Sequence, residues 1–220
     1  MKIRVVENIL KANDSLALDN RAYFKSRGIK VVNLIGSPGS GKTSFIIKAA
    51  ALLSERGLVC GVIEGDIASS IDAEKISSAG IPVVQVNTGG GCHLDAGMVK
   101  ACLSSLPLDK INILFIENIG NLVCPFGYYL GEDLRITLLS VPEGDDKPLK
   151  YPASVLDTDM IIISKTDLEK VCGVRASSIA ANARRIKKDV PLFRISARLG
   201  TGMAGAVGHL IKFNSTRRPT

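Results

Sequence analysis

Seven short apolar runs punctuate the chain: KVVNLIG (30–36), LVCGVIE (58–64), PVVQVN (82–87), INILFIE (111–117), LRITLLSV (134–141), DMIIIS (159–164) and PLFRIS (191–196). Several are apolar at nearly every position, the pattern of strands buried on both faces. Segments with apolar residues at helical spacing separate most of them. The alternation predicts an α/β fold: a mostly parallel sheet with helices on both faces. Ahead of the first run, Ile3 to Phe24 has apolar Val6, Ile9, Leu10 and Leu16 at helical spacing, and Gly28 ends the segment. The expected organisation is one domain over 1–220, with a helical extension at 1–28 and a frayed tail, NSTRRPT, at 214–220. In such sheets ligands bind beyond the carboxyl ends of the strands, so the residues after each run are where chemistry is sought.

Composition narrows the partners. The chain has 220 residues and a formal net charge of +7, which favours anionic ligands. Its Lys and Arg residues are dispersed, and the densest run, ARRIKKD (183–189), reads as the solvated face of a helix. Aromatics are 5% and Trp is absent, so stacking platforms for nucleic acid are poorly supplied and none is expected as a partner. The five cysteines, Cys60, Cys92, Cys102, Cys124 and Cys172, are odd in number and irregular in spacing, which is no disulfide framework. No secretory leader and no membrane-length apolar run is visible, so a cytoplasmic, reduced setting with free thiols is expected.

The strongest chemical signal follows the first run. GSPGSGKTS comprises Gly36, Ser37, Pro38, Gly39, Ser40, Gly41, Lys42, Thr43 and Ser44, and it satisfies G-x-x-x-x-G-K-[ST] between a strand and a helix. Its backbone N–H groups and the helix N-terminus suit phosphate oxygens. Lys42 is expected on the β- and γ-phosphates and the Thr43 hydroxyl on Mg²⁺. The fold class is therefore a P-loop NTPase.

Two later loops point to the base. SKTD (164–167) places Lys165 and Asp167 as in the guanine motif N-K-x-D, with Ser164 where Asn is usual; a helix N-cap at Ser164 or Thr166 is the plain alternative. ISARLGTGM follows the last run, and its Ser196 and Ala197 resemble a loop that presents a backbone N–H to guanine O6. Together they favour GTP and GDP. For hydrolysis, Glu117 and Gly120 in FIENIGN fit an acidic residue near Mg²⁺ and a glycine at the γ-phosphate. Asp66 is a further Mg²⁺ or water-orienting carboxylate, and Asp72 is either that or a helix N-terminal charge. No arginine finger is identifiable within the chain, so slow turnover is expected.

TGGGCHLDAGM (88–98) adds a second chemistry. Cys92 and His93 are borderline-soft ligands suited to Zn²⁺ or Ni²⁺, and a turn formed by the glycines could aim both at one ion. Cys124, beyond another strand, completes a three-ligand set, in one chain or shared between two. A turn with a buried thiol and a capping imidazole stays open beside it. A Cys-His nucleophile pair ranks lower, since no orienting acid can be named. Cys60 and Cys102 read as core.

With EGDIASSIDAEKI, NTGGGCHLDAGMV, LFIENIGNLVCP, LGED, EGDDKPLKYP and ISKTDL in order, the chain from about Val5 to Lys212 resembles the HypB family of hydrogenase-maturation GTPases, relatives of the urease GTPase UreG. The resemblance implies GTP-dependent dimerisation, slow hydrolysis, and a Ni²⁺ or Zn²⁺ site at the subunit interface made by Cys92, His93 and Cys124. It also implies a companion nickel metallochaperone and a hydrogenase large-subunit precursor as partners. The chain lacks the N-terminal cysteine motif or histidine-rich stretch of some relatives, and has Gly97 where others carry His. A transferable metal, rather than a nickel store, is what remains. A nucleotide-gated binding module or a small-molecule kinase is the competing class; Arg175, Arg184 and Arg185 lie along one predicted helix, but no lid is recognisable.

Overall fold

The computed structural model describes residues 5–213, with side chains from Leu10 onward. The expected tail at 214–220 and the side chains of Val6 and Ile9 lie outside the described residues. Seven strands form, one in each apolar run: β1 Lys30–Gly36, β2 Cys60–Asp66, β3 Val83–Asn87, β4 Ile113–Glu117, β5 Leu134–Ser140, β6 Met160–Ser164 and β7 Leu192–Arg194. They make a single sheet in the order β3-β2-β4-β1-β5-β6-β7, every pair parallel. The helices are α1 Val5–Ser26, α2 Lys42–Ser54, α3 Ile71–Ser78, α4 Ala96–Cys102, α5 Lys147–Lys150, α6 Pro152–Leu156, α7 Glu169–Cys172, α8 Ala176–Ile186 and α9 Met203–Lys212.

Strand periodicity explains why apolar residues occupy both parities. In β6, Met160 and Ile162 face α2 and α9, while Ile161 and Ile163 face α6 and α8. In β1, Val32 and Leu34 join the first layer and Val31 and Ile35 the second. Over β2 and β4 the second layer is closed by α1 and α4 through Phe24, Val99 and Cys102. Cys60 and Cys102 are buried, as expected, and burial pushes their thiols up to about 12 and about 11.

The extension helix follows its sequence pattern only in part: Leu16 packs against Ala17, Ala96 and Tyr129. Leu10 and Leu18 face solvent, and the buried side of α1 is Asn13, Ala17, Asn20 and Phe24. The asparagines answer backbone groups of the α4 start and of the loop at 129–130. Asn13 Nδ2 donates to the Tyr129 carbonyl and its Oδ1 accepts from Ala96 N, both at 2.9 Å. Asn20 Nδ2 donates to the carbonyls of Ala96 at 2.9 Å and Leu130 at 3.3 Å. Buried amides with their partners met stabilise; the same positions filled by leucine would strand those backbone groups. The ARRIKKD segment departs too: Lys187 Nζ donates to the Leu156 and Thr158 carbonyls rather than to water alone.

Among the described residues no helix is long and apolar enough to cross a membrane.

Candidate functional site

β1 is central: the chain leaves it toward β2 on one side and leaves the adjacent β5 toward β6 on the other, so the loop after β1 opens where the strand order switches. Gly41 at φ +96 makes the turn into α2, a conformation L side chains rarely adopt. Lys42 is 7% exposed and folds back over the loop, donating to the Gly36 carbonyl at 3.2 Å and the Ser37 carbonyl at 3.4 Å. Burial lowers its pKa, opposed by the nearby Glu117 charge. Thr43 Oγ1 donates to Glu117 Oε1 at 2.8 Å, linking the helix start to the end of β4.

Glu117 has a companion missed in the sequence. Glu64 in β2 is its register partner across the β2–β4 ladder, and the two are 2% and 4% exposed. Both carry an Oε2 with no hydrogen-bond partner. Burial pushes Glu64 up to about 8 and Glu117 up to about 7. A charged residue near the end of an otherwise apolar run was the available signal; only the register shows the pairing. They line a cavity of about 310 Å³ with Pro38, Lys42, Asp66, Asp72 and Gly120. A hydroxyl already aimed at a buried carboxylate, beside unpartnered carboxylate oxygens, is a donor set that fits a hard divalent cation such as Mg²⁺.

Asp66 is turned onto its own loop, where Oδ1 accepts from Ile67 N at 2.5 Å and Ala68 N at 3.3 Å. Asp72 sits in the first turn of α3, paired with Lys75 at 2.7 Å. It is thus a helix N-terminal charge and a wall of the cavity at once. Gly120 lies flush on the phosphate loop: a Cβ there would meet Pro38 Cγ at 2.8 Å and Pro38 Cα and N at 2.9 Å.

A second, largely apolar cavity of about 560 Å³ opens beside Ser44, between Ile47, Ser164, Lys165, Asp167 and Ala197. Ser164 acts as more than a missing Asn. Its buried hydroxyl donates to the Ser40 carbonyl at 2.5 Å, joining the base-side loop to the phosphate loop. Lys165 adds a bond from Nζ to the Gly39 carbonyl at 2.5 Å. Among the described residues it alone, glycine aside, holds a positive φ, of 58°; such strain persists where surroundings enforce it. Asp167 accepts from Ser196 Oγ at 2.6 Å and from Arg198 Nε at 3.1 Å, which hold its carboxyl below the usual range, Ser196 contributing most. The plain N-cap reading fails, since neither Ser164 nor Thr166 caps the following turn with its side chain. Arg198 was not foreseen.

The glycine turn forms as expected. Gly89 and Gly90 take positive φ, and Thr88 Oγ1 donates to the Gly91 carbonyl at 2.8 Å. Cys92 Sγ then lies 3.6 Å from His93 Nδ1, and the neighbouring Cys124 thiol, with burial, raises the Cys92 pKa. The His93 ring stacks on Tyr128 with centroids 3.9 Å apart, and burial lowers its pKa. Tyr128 is fixed in turn, because Arg135 Nη2 donates to its carbonyl at 2.8 Å. Arg135, 2% exposed, is also bound to fully buried Glu132 and to Asp157. Cys92 thus lies beside both expected co-ligands. Yet among the described residues no three His, Cys, Asp or Glu side chains converge into a ready-made cation cage. Arg175 precedes α8 and Arg184 and Arg185 end it, and none of them lines either cavity.

A family model described as the CobW/HypB/UreG nucleotide-binding domain matches residues 30–194. The chain belongs to this family. Within it, the hydrogenase maturation factor HypB of Azotobacter vinelandii is 44% identical over 98% of this chain and 71% of its own length. The Escherichia coli K12 HypB is 43% identical over 91% of this chain and 69% of its own. These relatives are longer than the present chain. A crystal structure of Helicobacter pylori HypB in complex with nickel superposes with a TM-score of 0.87 at 35% identity, covering 94% of this chain and 99% of that one. The HypB structure from Archaeoglobus fulgidus gives 0.84 at 32% identity, covering 91% and 98%. The chain is a P-loop nucleotide-binding protein of the HypB hydrogenase-maturation type.

Proposed function

We propose that this chain is a GTP-hydrolysing metallochaperone that assists nickel insertion into a [NiFe]-hydrogenase precursor. One observation carries the reading: the segment that begins at Glu117, hydrogen-bonded to the phosphate-loop Thr43, ends at Cys124, beside Cys92. The nucleotide and thiol sites therefore share one short stretch of backbone.

In this reading the phosphate loop binds GTP, with Lys42 leaving the Gly36 and Ser37 carbonyls for the phosphates. The base enters the apolar cavity, where Asp167 exchanges Arg198 and Ser196 for guanine N–H groups and the Lys165 stem covers the ring. The Ala197 N–H stands on the O6 side. Thr43 and Glu117 would hold Mg²⁺ with Asp66 near by, and the ion would supply charge neutralisation at the β- and γ-phosphates. Asp66 or Asp72 orients the attacking water; GTP and water give GDP and phosphate, slowly, since among the described residues no arginine lines the cavity to stabilise the transition state.

Cys92, His93 and Cys124 take nickel or zinc. Cys92 lies beside both co-ligands but the described residues of one chain form no closed cage, which supports a site completed between two chains when GTP drives dimerisation. A companion metallochaperone and the hydrogenase precursor, in the cytoplasm, are the partners. Titrating nickel into the wild type, Cys92→Ala and Cys124→Ala tests the thiol assignment. Stoichiometry should fall in both variants while GTP binding persists; unchanged stoichiometry in both leaves only a nucleotide switch.

A further inference from the structure

Asn121 lies between the phosphate loop and both cysteines without being a ligand of either site. Its backbone N–H donates to the Gly36 carbonyl at 3.0 Å, the same oxygen that accepts from Lys42 Nζ. The two residues form an antiparallel bridge outside the sheet proper. Its side chain points the other way chemically. Nδ2 donates to the Cys92 carbonyl at 3.3 Å, while Oδ1 accepts from Val123 N at 2.8 Å and Cys124 N at 3.4 Å. These partners fix the amide's orientation, because a flipped amide would set a donor against two N–H groups and an acceptor against a carbonyl.

One residue thus joins the phosphate loop, the Cys92 turn and the Cys124 turn. The linkage is stiff. Gly120, just before it, has no room for a Cβ against the Pro38 backbone, so residues 120–121 pack directly on the phosphate loop. A phosphate oxyanion is a stronger acceptor for an ammonium group than a carbonyl is, so bound nucleotide draws Lys42 off Gly36. The Gly36 carbonyl then has Asn121 N–H as its remaining donor of this pair, and the bridge resets.

We propose that Asn121 is the positioning residue that transmits the state of the phosphate loop to the Cys92–Cys124 pair, its amide moving both cysteine backbones together. The proposal rests on the metallochaperone reading. It gives the amide a task that an ordinary Asx turn, which would only shape the Val123–Cys124 corner, does not have.

The experiment is a nickel(II) titration of the full chain against a chromophoric chelator. It is run at saturating Mg²⁺ with GDP or with guanylyl imidodiphosphate, for the wild type, N121D and N121A. N121D keeps the acceptor for Val123 and Cys124 and loses the donor to Cys92; N121A loses both. The wild-type affinities should differ between nucleotides by a factor within the usual allosteric range of about 5- to 150-fold. In both variants the factor should fall to within about twofold of one. A purely local turn would weaken both nucleotide states equally, so variants that keep the wild-type ratio overturn the Asn121 assignment and leave the metallochaperone reading standing. A wild-type ratio of one removes the coupling itself, and this assignment with it.

Discussion

Replacing Arg135 with Met tests whether the metal-site loop is held by a buried ion pair. Arg135 Nε and Nη2 donate to Glu132 Oε1 at 2.8 and 2.6 Å, and neither side chain is more than 2% exposed. Removing one partner of a buried pair costs about 3–5 kcal/mol, because the remaining carboxylate loses its guanidinium in a poorly solvated place. Here Glu132 keeps bonds from Leu130 N at 2.8 Å and Asn33 Nδ2 at 3.4 Å, which favours the lower end, about 3 kcal/mol. Asp157 is 38% exposed, so its share is small. For a chain of this size that lowers Tm by roughly 6–12 °C. The double variant Glu132→Gln/Arg135→Met removes the charge but keeps the acceptor for Leu130 N, and should regain about 2 kcal/mol. Urea unfolding at unchanged m-value measures all three proteins. A loss under about 1 kcal/mol, or a double variant no better than the single, refutes the reasoning. Because Arg135 also holds the Tyr128 carbonyl, and Tyr128 stacks on His93, R135M should weaken nickel binding as well.

Further outcomes follow from the site. Glu64 and Glu117 have carboxyls raised to about 8 and about 7 from an ordinary 4.5, so the folded chain keeps protons that the unfolded chain releases. Their contribution to stability without Mg²⁺ is therefore greatest below about pH 4.5 and is lost as pH rises through 7 to 8. A melting series should show Glu64→Gln flattening this fall by on the order of 2 kcal/mol, after allowing for screening at the cavity mouth; parallel curves would contradict it. Gly120→Ala forces a Cβ against Pro38 at 2.8–2.9 Å and should weaken nucleotide binding by about tenfold or more in a fluorescent-nucleotide titration, where an unchanged Kd would show the loop yields freely. Asp167→Ala should cut the preference for GTP over ATP by about 100-fold in competition binding, from two lost charge-assisted hydrogen bonds. An intact preference would place the base elsewhere.

How much of this was legible depends on what held each part together. Every strand could be read, since burial on both faces writes an apolar run, as in Ile161–Ile163. The phosphate loop was legible because its backbone turn demands glycine at Gly41 and its chemistry demands Lys42. The docking of α1 was not: it is made by Asn13 and Asn20 against backbone groups of distant loops, while Leu10 and Leu18 point outward. Apolar periodicity is blind to that kind of contact. Glu64 was visible as a lone charge in a strand, but its pairing with Glu117 is a matter of register. Cys92 and Cys124 were each readable as loop thiols; β2 separates their strands in the sheet, and only loop geometry makes them neighbours. Ser164 looked like a defect in the base motif because its hydroxyl's target, the Ser40 carbonyl, lies 124 residues away.

The central claim is that nucleotide state governs a shared thiol–imidazole metal site. Its most direct test is the oligomeric mass and nickel content of the full chain with GDP and with guanylyl imidodiphosphate, measured by light scattering and elemental analysis on the same samples. The account predicts a monomer with GDP, and with the analogue a dimer that retains nickel only while Cys92 and Cys124 are both present. Equal mass and equal nickel content in the two nucleotide states would contradict it.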